Sequence, residues 1–186
     1  MRIIAGKYRG RNLKSPPTLG TRPTSDRLRE TLFNILAPRI QGARFLDLCA
    51  GSGAVGTEAL SRGAAHVTFV DRSRKMYALI ETNLDLLKIG DDETELVSRE
   101  ALAFLGRNIR NEASAFDLIF FDPPYATDYG EVLGYIGEHA AALLAIDGVL
   151  IVEHDKKKEL AEEFGNLKRY RVVKQGDSQL SFYAAQ

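Results

Sequence analysis

Cysteine is almost missing from this chain. Cys49 is its sole thiol, so no internal disulfide can form and no cysteine cage can hold a metal. The three histidines, His66, His139 and His154, stand far apart and share no metal-ligand spacing, so no metal is expected. No stretch approaches the roughly 18 apolar residues of a membrane span, and the basic amino terminus lacks a signal peptide's apolar core. Repeats and low-complexity segments are missing too. These absences point to a reducing cytoplasm as the home of the chain, with no membrane contact. The remainder is ordinary for a globular protein: 45% hydrophobic, 27% charged, 25 basic residues against 25 acidic ones. A length of 186 residues suits one domain able to bury roughly 70% of its unfolded surface.

The neutral total hides an asymmetry. Between Met1 and Arg29 stand eight basic residues (Arg2, Lys7, Arg9, Arg11, Lys14, Arg22, Arg27, Arg29) against one acid, Asp26, a net +7 that leaves −7 for the rest. Like charge gathered at one end suggests an arm for a polyanion such as nucleic acid. Tyr8 among Lys7, Arg9 and Arg11 adds an aromatic face that suits RNA, although hairpin packing would explain it equally well.

"MRIIAGKYRGRNLKS" reads as a small hairpin, with an apolar start at Ile3 and Ile4, a turn from Gly6 to Gly10 and a return through Leu13. "PPTLGTRP" is a stiff connector. "TSDRLRETLFNILAP" is an amphipathic helix capped by Thr24 or Ser25, with Leu28, Leu32, Ile35 and Leu36 on one face. Strands and helices then alternate. Strands are expected over 44–48, 66–70, 94–97, 116–121 and 149–153; helices over 55–61, 73–87, 101–105, 131–144 and 156–164. Such alternation requires a parallel sheet with right-handed crossovers. "KRYRVVK", the turn "QGDS" and "QLSFYAA" have no helix between them and read as a closing antiparallel hairpin, for seven strands in all.

Two motifs sit at strand ends, where doubly wound sheets bind ligands. The first is Gly51-x-Gly53-x-x-Gly56, after a strand and opening a helix, with Asp71 closing the next strand twenty positions after Gly51. Glycines there let the backbone turn tightly and approach a ligand, and Asp71 can accept both hydroxyls of a ribose. A dinucleotide fold fits that description too. Asp47, inside the first strand, tips the reading toward S-adenosylmethionine (SAM), because a carboxylate can hold a cationic amino group and offers nothing to a pyrophosphate. After the third strand, Glu100 is placed to accept from an adenine amino group and the Ala101 N–H to donate to the ring; an ordinary helix start would look the same.

The second motif is "FDLIFFDPPYA". Pro123 ends the strand because it cannot donate to a ladder, and Pro124 stiffens the turn. Asp122-Pro123-Pro124-Tyr125 resembles the amino-methyltransferase signature (Asn/Asp/Ser)-Pro-Pro-(aromatic). An exocyclic amine on a base is a poor nucleophile, its lone pair being delocalised into the ring. The Asp122 carboxylate and the Pro123 carbonyl can accept its two protons and aim the lone pair at a sulfonium methyl. Tyr125 can stack on the base, a contact worth about 1–3 kcal/mol, comparable to the cost of unstacking it.

"MRIIAGKYRGRNL", "RPTSDRLRETLFNIL", "LDLCAGSGAVGTEALSRGA" and "DPPY" together resemble the bacterial 16S ribosomal RNA guanine-N2 methyltransferases, from Met1 to about Val152. The resemblance implies an α/β, Rossmann-like class I methyltransferase fold: a mostly parallel seven-stranded sheet with a carboxy-terminal antiparallel hairpin, preceded by an amino-terminal β-hairpin extension. Residues 1–20 would be the basic extension and 21–186 the methyltransferase domain. It implies SAM as cofactor and, as partner, 16S rRNA within a small ribosomal subunit or assembly intermediate, met by a monomer. The cofactor would be held by Asp47, Ala50, Gly51, Ser52, Gly53, Asp71, Arg72, Glu100 and Ala101. Catalysis would fall to Asp122, Pro123, Pro124 and Tyr125, and RNA contact to Arg2, Lys7, Tyr8, Arg9, Arg11, Arg22, Thr24 and Arg27. Adenine N6, a protein glutamine, or no reaction at all (an RNA-binding assembly factor) stay open, since the Asp-Pro-Pro-Tyr turn does not separate amine acceptors.

Overall fold

A computed structural model describes residues 1–16, 25–110, 115–124 and 129–186. Tyr125, Arg22 and Thr24 lie outside the described residues.

Alternating burial drives the architecture. The parallel strands β1 (Arg44–Leu48), β2 (His66–Asp71), β3 (Thr94–Ser98), β4 (Phe116–Phe121) and β5 (Leu144–Asp155) are joined to the antiparallel β8 (Ser178–Ala185), β7 (Leu167–Gln175) and β6 (Glu163–Phe164) in the order β3-β2-β1-β4-β5-β8-β7-β6. Neighbouring residues face opposite sides, so the central strands feed two cores. Phe45, Leu118, Phe120, Ile151 and Phe182 meet α1 (Asp26–Leu36), α2 (Ala54–Ser61) and α3 (Arg74–Leu87). Leu46, Ile119, Phe121, Val152 and Tyr183 meet α4 (Ala101–Arg110), α5 (Tyr129–Glu138) and α6 (Ala140–Leu143). Helix α1 begins at Ser25, whose Oγ accepts the Leu28 N–H.

Three expectations need correction. The sheet has eight strands among the described residues, because the segment expected as a helix over 156–164 ends instead in the short strand β6. Its carbonyls are captured from outside: Arg169 Nη1 donates to Leu160 O at 3.0 Å and Tyr183 Oη to Ala161 O at 2.9 Å. A helix would have used those acceptors internally. The helix expected over 131–144 breaks at His139, whose ring nitrogen Nδ1 lies 3.0 Å from Tyr135 O. Helix α4 outruns its expected end, reaching Arg110.

The amino-terminal segment folds back on itself and docks on the domain. Neither side of the expected hairpin is a strand; only the Arg2–Asn12 bridge is antiparallel. Several of its backbone groups are engaged by the domain as well. The Glu58 carboxylate accepts from Ile4 N and Ala5 N at 2.8 and 3.0 Å, Ser61 O from Lys7 N at 2.7 Å, and Asn83 Oδ1 from Lys14 N at 2.8 Å. Cross-hairpin bonds stand beside these: Leu13 N–H donates to Met1 O at 2.8 Å, Ile3 N–H to Arg11 O at 3.0 Å and Gly10 N–H to Ile3 O at 2.9 Å. Ile3 and Leu13 are buried in the same core as α1.

Candidate active site

Strand order reverses around β1, which lies between β2 and β4. Loops from β1 and β4 therefore leave in different directions and open a crevice at their carboxyl ends. A cleft of about 290 Å³ lies there, lined by Cys49, Asp71, Glu100, Ala101, Phe121 and Pro124 among others.

The β1 loop starts with two backbone inversions, Cys49 at φ 69° and Gly51 at φ 55°, and ends at Gly53, φ 73°. The glycines serve different needs. A Cβ on Gly53 would lie 2.9 Å from Ile80 Cγ1 and one on Gly56 2.3 Å from Phe69 Cε1, whereas a Cβ on Gly51 would meet nothing within 4 Å. Gly53 and Gly56 thus allow α2 to pack on β2 and α3. Gly51 alone faces open space where a ligand can approach.

Two aspartates hold this loop. Asp71 accepts Gly51 N–H at 2.9 Å through Oδ2 and Ser73 N–H at 2.8 Å through Oδ1. Asp47 is 2% exposed and accepts Gly56 N–H at 2.8 Å. Burial pushes its pKa up to about 7, against the lowering effect of the Gly56 amide. Asp47 therefore lies beneath the loop rather than on the cleft wall. Across the mouth, Arg72 Nη1 pairs with Glu100 Oε1 at 3.3 Å, both side chains exposed. Ala101 opens α4, so its N–H belongs to the first turn, which a helix leaves without an internal partner. Ala50 and Ser52 complete the loop; Ser52 O lies 3.4 Å from Asn83 Nδ2 and its hydroxyl 3.7 Å from Met1 Sδ.

Asp122 follows β4, its N–H 3.4 Å from Leu48 O. It is half-buried, Pro123 is buried and Pro124 exposed. The buried Tyr129, first residue of α5, sets its hydroxyl 3.5 Å from the Pro123 carbonyl. Cys49 reports on the electrostatics of the crevice. Burial, then the carboxylates of Asp71, Asp122, Asp47 and Glu100, push its thiol up to about 12. A thiol that firmly protonated is no nucleophile. The cleft itself carries both signs of charge, with Asp71, Glu100 and Glu131 beside Arg72 and Arg99. The three histidines do not converge: His154 bonds Ser181 Oγ and His139 stacks on Tyr135. No His/Cys/Asp/Glu group among the described residues could hold a metal.

The basic arm lies along α2 and α3, with its first residue against the glycine loop. Arg2 is exposed, 3.7 Å from Asp26. Lys7 sits over the Tyr8 ring at 5.0 Å, and Tyr8 packs half-buried on the core. Arg11 donates to Leu86 O at 3.2 Å, and Arg9 and Arg27 are exposed. One feature was not read from the sequence. Arg29, fully buried, donates to Arg2 O at 2.7 Å and Asp26 Oδ1 at 2.8 Å, and its Nε stands 3.8 Å from Glu58 Oε2. A buried ion pair thus clamps the arm to α2. Asp26, half exposed, pairs with Arg29 at the outer end of that clamp.

An open sheet of this order, with a glycine loop after β1, an acid ending β2 and Asp-Pro-Pro ending β4, defines the class I methyltransferases. The family described as conserved hypothetical protein 95 matches residues 1–184, and the chain belongs to it. YlbH of Bacillus subtilis is 38% identical over 184 residues, covering 98% of both chains. The ribosomal RNA small subunit methyltransferase D of Haemophilus influenzae is 38% identical over 166 residues, 86% of this chain and 81% of its own. Among solved structures, the yhhF protein of Escherichia coli superposes with a TM-score of 0.85 at 33% identity, over 100% of this chain and 98% of that one.

Proposed function

We propose that this protein transfers the methyl group of SAM to the exocyclic N2 amine of a guanine in small-subunit ribosomal RNA. The observation that carries the reading is the cleft lined by Asp71, Glu100 and Ala101 and bordered by Phe121 and Pro124, the residues on either side of Asp122 and Pro123. SAM supplies an electrophilic methyl on a sulfonium, so the protein's task is placement and proton acceptance.

Asp71 retains acceptor capacity beyond its two amide bonds and faces the cleft, where it holds the ribose hydroxyls. Glu100 and the Ala101 N–H address the adenine edge, with Arg72 bracing Glu100. Asp47 acts from below: ionised near a bound ammonium, it keeps the loop in place through Gly56. At β4 the Asp122 carboxylate and Pro123 carbonyl accept the two amine protons and turn the lone pair toward the methyl. Alignment of this kind supplies much of the rate of a displacement. The methylated ammonium then loses its proton to Asp122, and Tyr125 stacks the extruded base. RNA as substrate is supported by the name of the Haemophilus relative and by the basic arm beside the crevice.

The test is transfer of labelled methyl from SAM to small ribosomal subunits lacking native base methylation, followed by digestion to nucleosides. Label is expected in N2-methylguanosine. Asp122→Ala should abolish transfer while SAM and RNA binding persist. Label in N6-methyladenosine would overturn the acceptor and keep the mechanism. Unlabelled rRNA, with SAM bound, would favour the assembly-factor reading.

A further inference from the structure

The strand β7, remote from the motifs, carries an unusual surface. Its nine residues include Lys168, Arg169, Arg171 and Lys174 and no acid. Lys168 pairs with Glu163 at 3.1 Å and Arg169 with Glu162 at 3.7 Å. Arg171 and Lys174 are exposed, with no carboxylate in ion-pair range among the described residues. Between the two pairs of cations stands Tyr170, 56% exposed, at a break in register between Arg169 and Arg171. Its ring lies 6.2 Å from Phe182, and the Arg171 guanidinium 5.9 Å from the same ring. Burial of one edge pushes the Tyr170 hydroxyl up, and Arg39 from the end of α1 joins Arg171 in pulling it down. The exposed Tyr170 ring and the exposed Arg171 guanidinium therefore share one neighbour, the Phe182 ring.

Register connects this surface to the crevice. Phe121 is level with Val152, Val152 with Ser181, and Ser181 with Val172. Asp122 follows Phe121, and Lys174 lies two residues beyond Val172 at the same end of the sheet. Three strand spacings of about 4.8 Å separate β4 from β7, roughly 14 Å. That is within reach of nucleotides flanking a base extruded at Asp122.

Resting on the RNA-methyltransferase reading above, we infer that β7 is a second RNA contact, with Arg171 and Lys174 on backbone phosphates and Tyr170 stacking a base outside the target nucleotide. Unpaired cations around an exposed ring match single-stranded RNA, whose bases stack on any aromatic face and whose backbone takes the charge. A second copy of the chain adding a strand is the other occupant of an edge. The break at Tyr170 and the projecting cations oppose it, as they do on protected edges generally.

Two surface variants test this: the double change Arg171→Ala with Lys174→Ala, and Tyr170→Leu. Each is titrated with protein-free, unmethylated small-subunit rRNA across a salt series, beside SAM affinity and turnover at saturating RNA. The double variant should bind RNA more weakly, with a log–log salt slope shallower by about 0.7 per lost phosphate contact. Tyr170→Leu should weaken binding about fivefold or more at unchanged slope. SAM affinity and saturated turnover should match the wild type. Wild-type affinity and slope in both variants would overturn the inference and leave the RNA reading standing. Weakening toward whole subunits but not protein-free rRNA would also overturn it, by assigning β7 to a ribosomal protein. A wild-type protein that neither binds nor methylates RNA would remove the underlying reading itself.

Discussion

Replacing Glu58 by alanine should release the amino-terminal arm from a domain that stays folded. The carboxylate is fully buried and accepts from Ile4 N at 2.8 Å, Ala5 N at 3.0 Å and Arg62 Nε at 2.7 Å, with Arg29 Nε 3.8 Å away. Its loss leaves the buried Arg29 guanidinium with only the half-exposed Asp26 as counter-ion, and removing one member of a buried pair costs about 3–5 kcal/mol. The two orphaned amides would add about 1–3 kcal/mol each if held in place. They are not held, since the arm can lift and let water serve them. The free energy docking the arm therefore caps the loss, and a total near 3–5 kcal/mol is expected. Against a typical stability of about 5–15 kcal/mol the fold survives, with Tm lower by roughly 6–20 °C for a chain of this size. Thermal unfolding followed by circular dichroism measures the total, and amide hydrogen exchange locates it. Ile4 and Ala5 should lose protection while Leu46 and Ile119, in the central strands, keep theirs. Glu58→Gln, which retains an acceptor without the charge, should fall between. Protected Ile4 and Ala5 amides in the alanine variant, or a Tm within about 2 °C of the wild type, would refute the clamp.

The pKa of Asp47 near 7, raised by burial above the ordinary carboxylate value of 3.8, favours the protonated folded state. Its contribution is fully present below about pH 4 and disappears as pH rises through 7, because the unfolded chain gives up the proton first. Asp47→Asn should flatten the stability–pH curve between those limits in the cofactor-free protein; an unchanged curve in urea titrations would show that Asp47 is not the group responsible. A Cβ at Gly137 would lie 1.9 Å from the Phe164 carbonyl oxygen, with Gly165 backbone just beyond. Gly137→Ala should therefore push α5 off the β6 turn and cost about 1–3 kcal/mol, and an unaltered midpoint in denaturant would sink that account.

Local chemistry was enough for much of this molecule. Apolar runs bounded by Gly, Pro and Asp placed the strands at Arg44–Leu48 and Phe116–Phe121 without shift, because continuous burial leaves few other uses for such runs. Pro123 ended β4 because no proline can extend a ladder, and that put Asp122 at a ligand-binding edge. Gly51, Asp71 and Asp122 were found as motifs, each set by its own stretch of chain. Tertiary structure decided everything that depended on a partner distant in sequence. Residues 156–164 have the composition of a helix, yet Arg169 and Tyr183 took their carbonyls. The arm has the turn residues of a hairpin and folds back at Arg2–Asn12, but that Glu58, Ser61 and Asn83 would take its other amides was not written in it. Arg29 looked like one more surface cation until the fold buried it beside Glu58. Asp47 was legible as an acid in the first strand, but its burial and its bond to the Gly56 amide came from packing. Hydrogen-bond donors and acceptors go to whichever partner the whole fold brings nearest, and a local pattern cannot say which partner that will be.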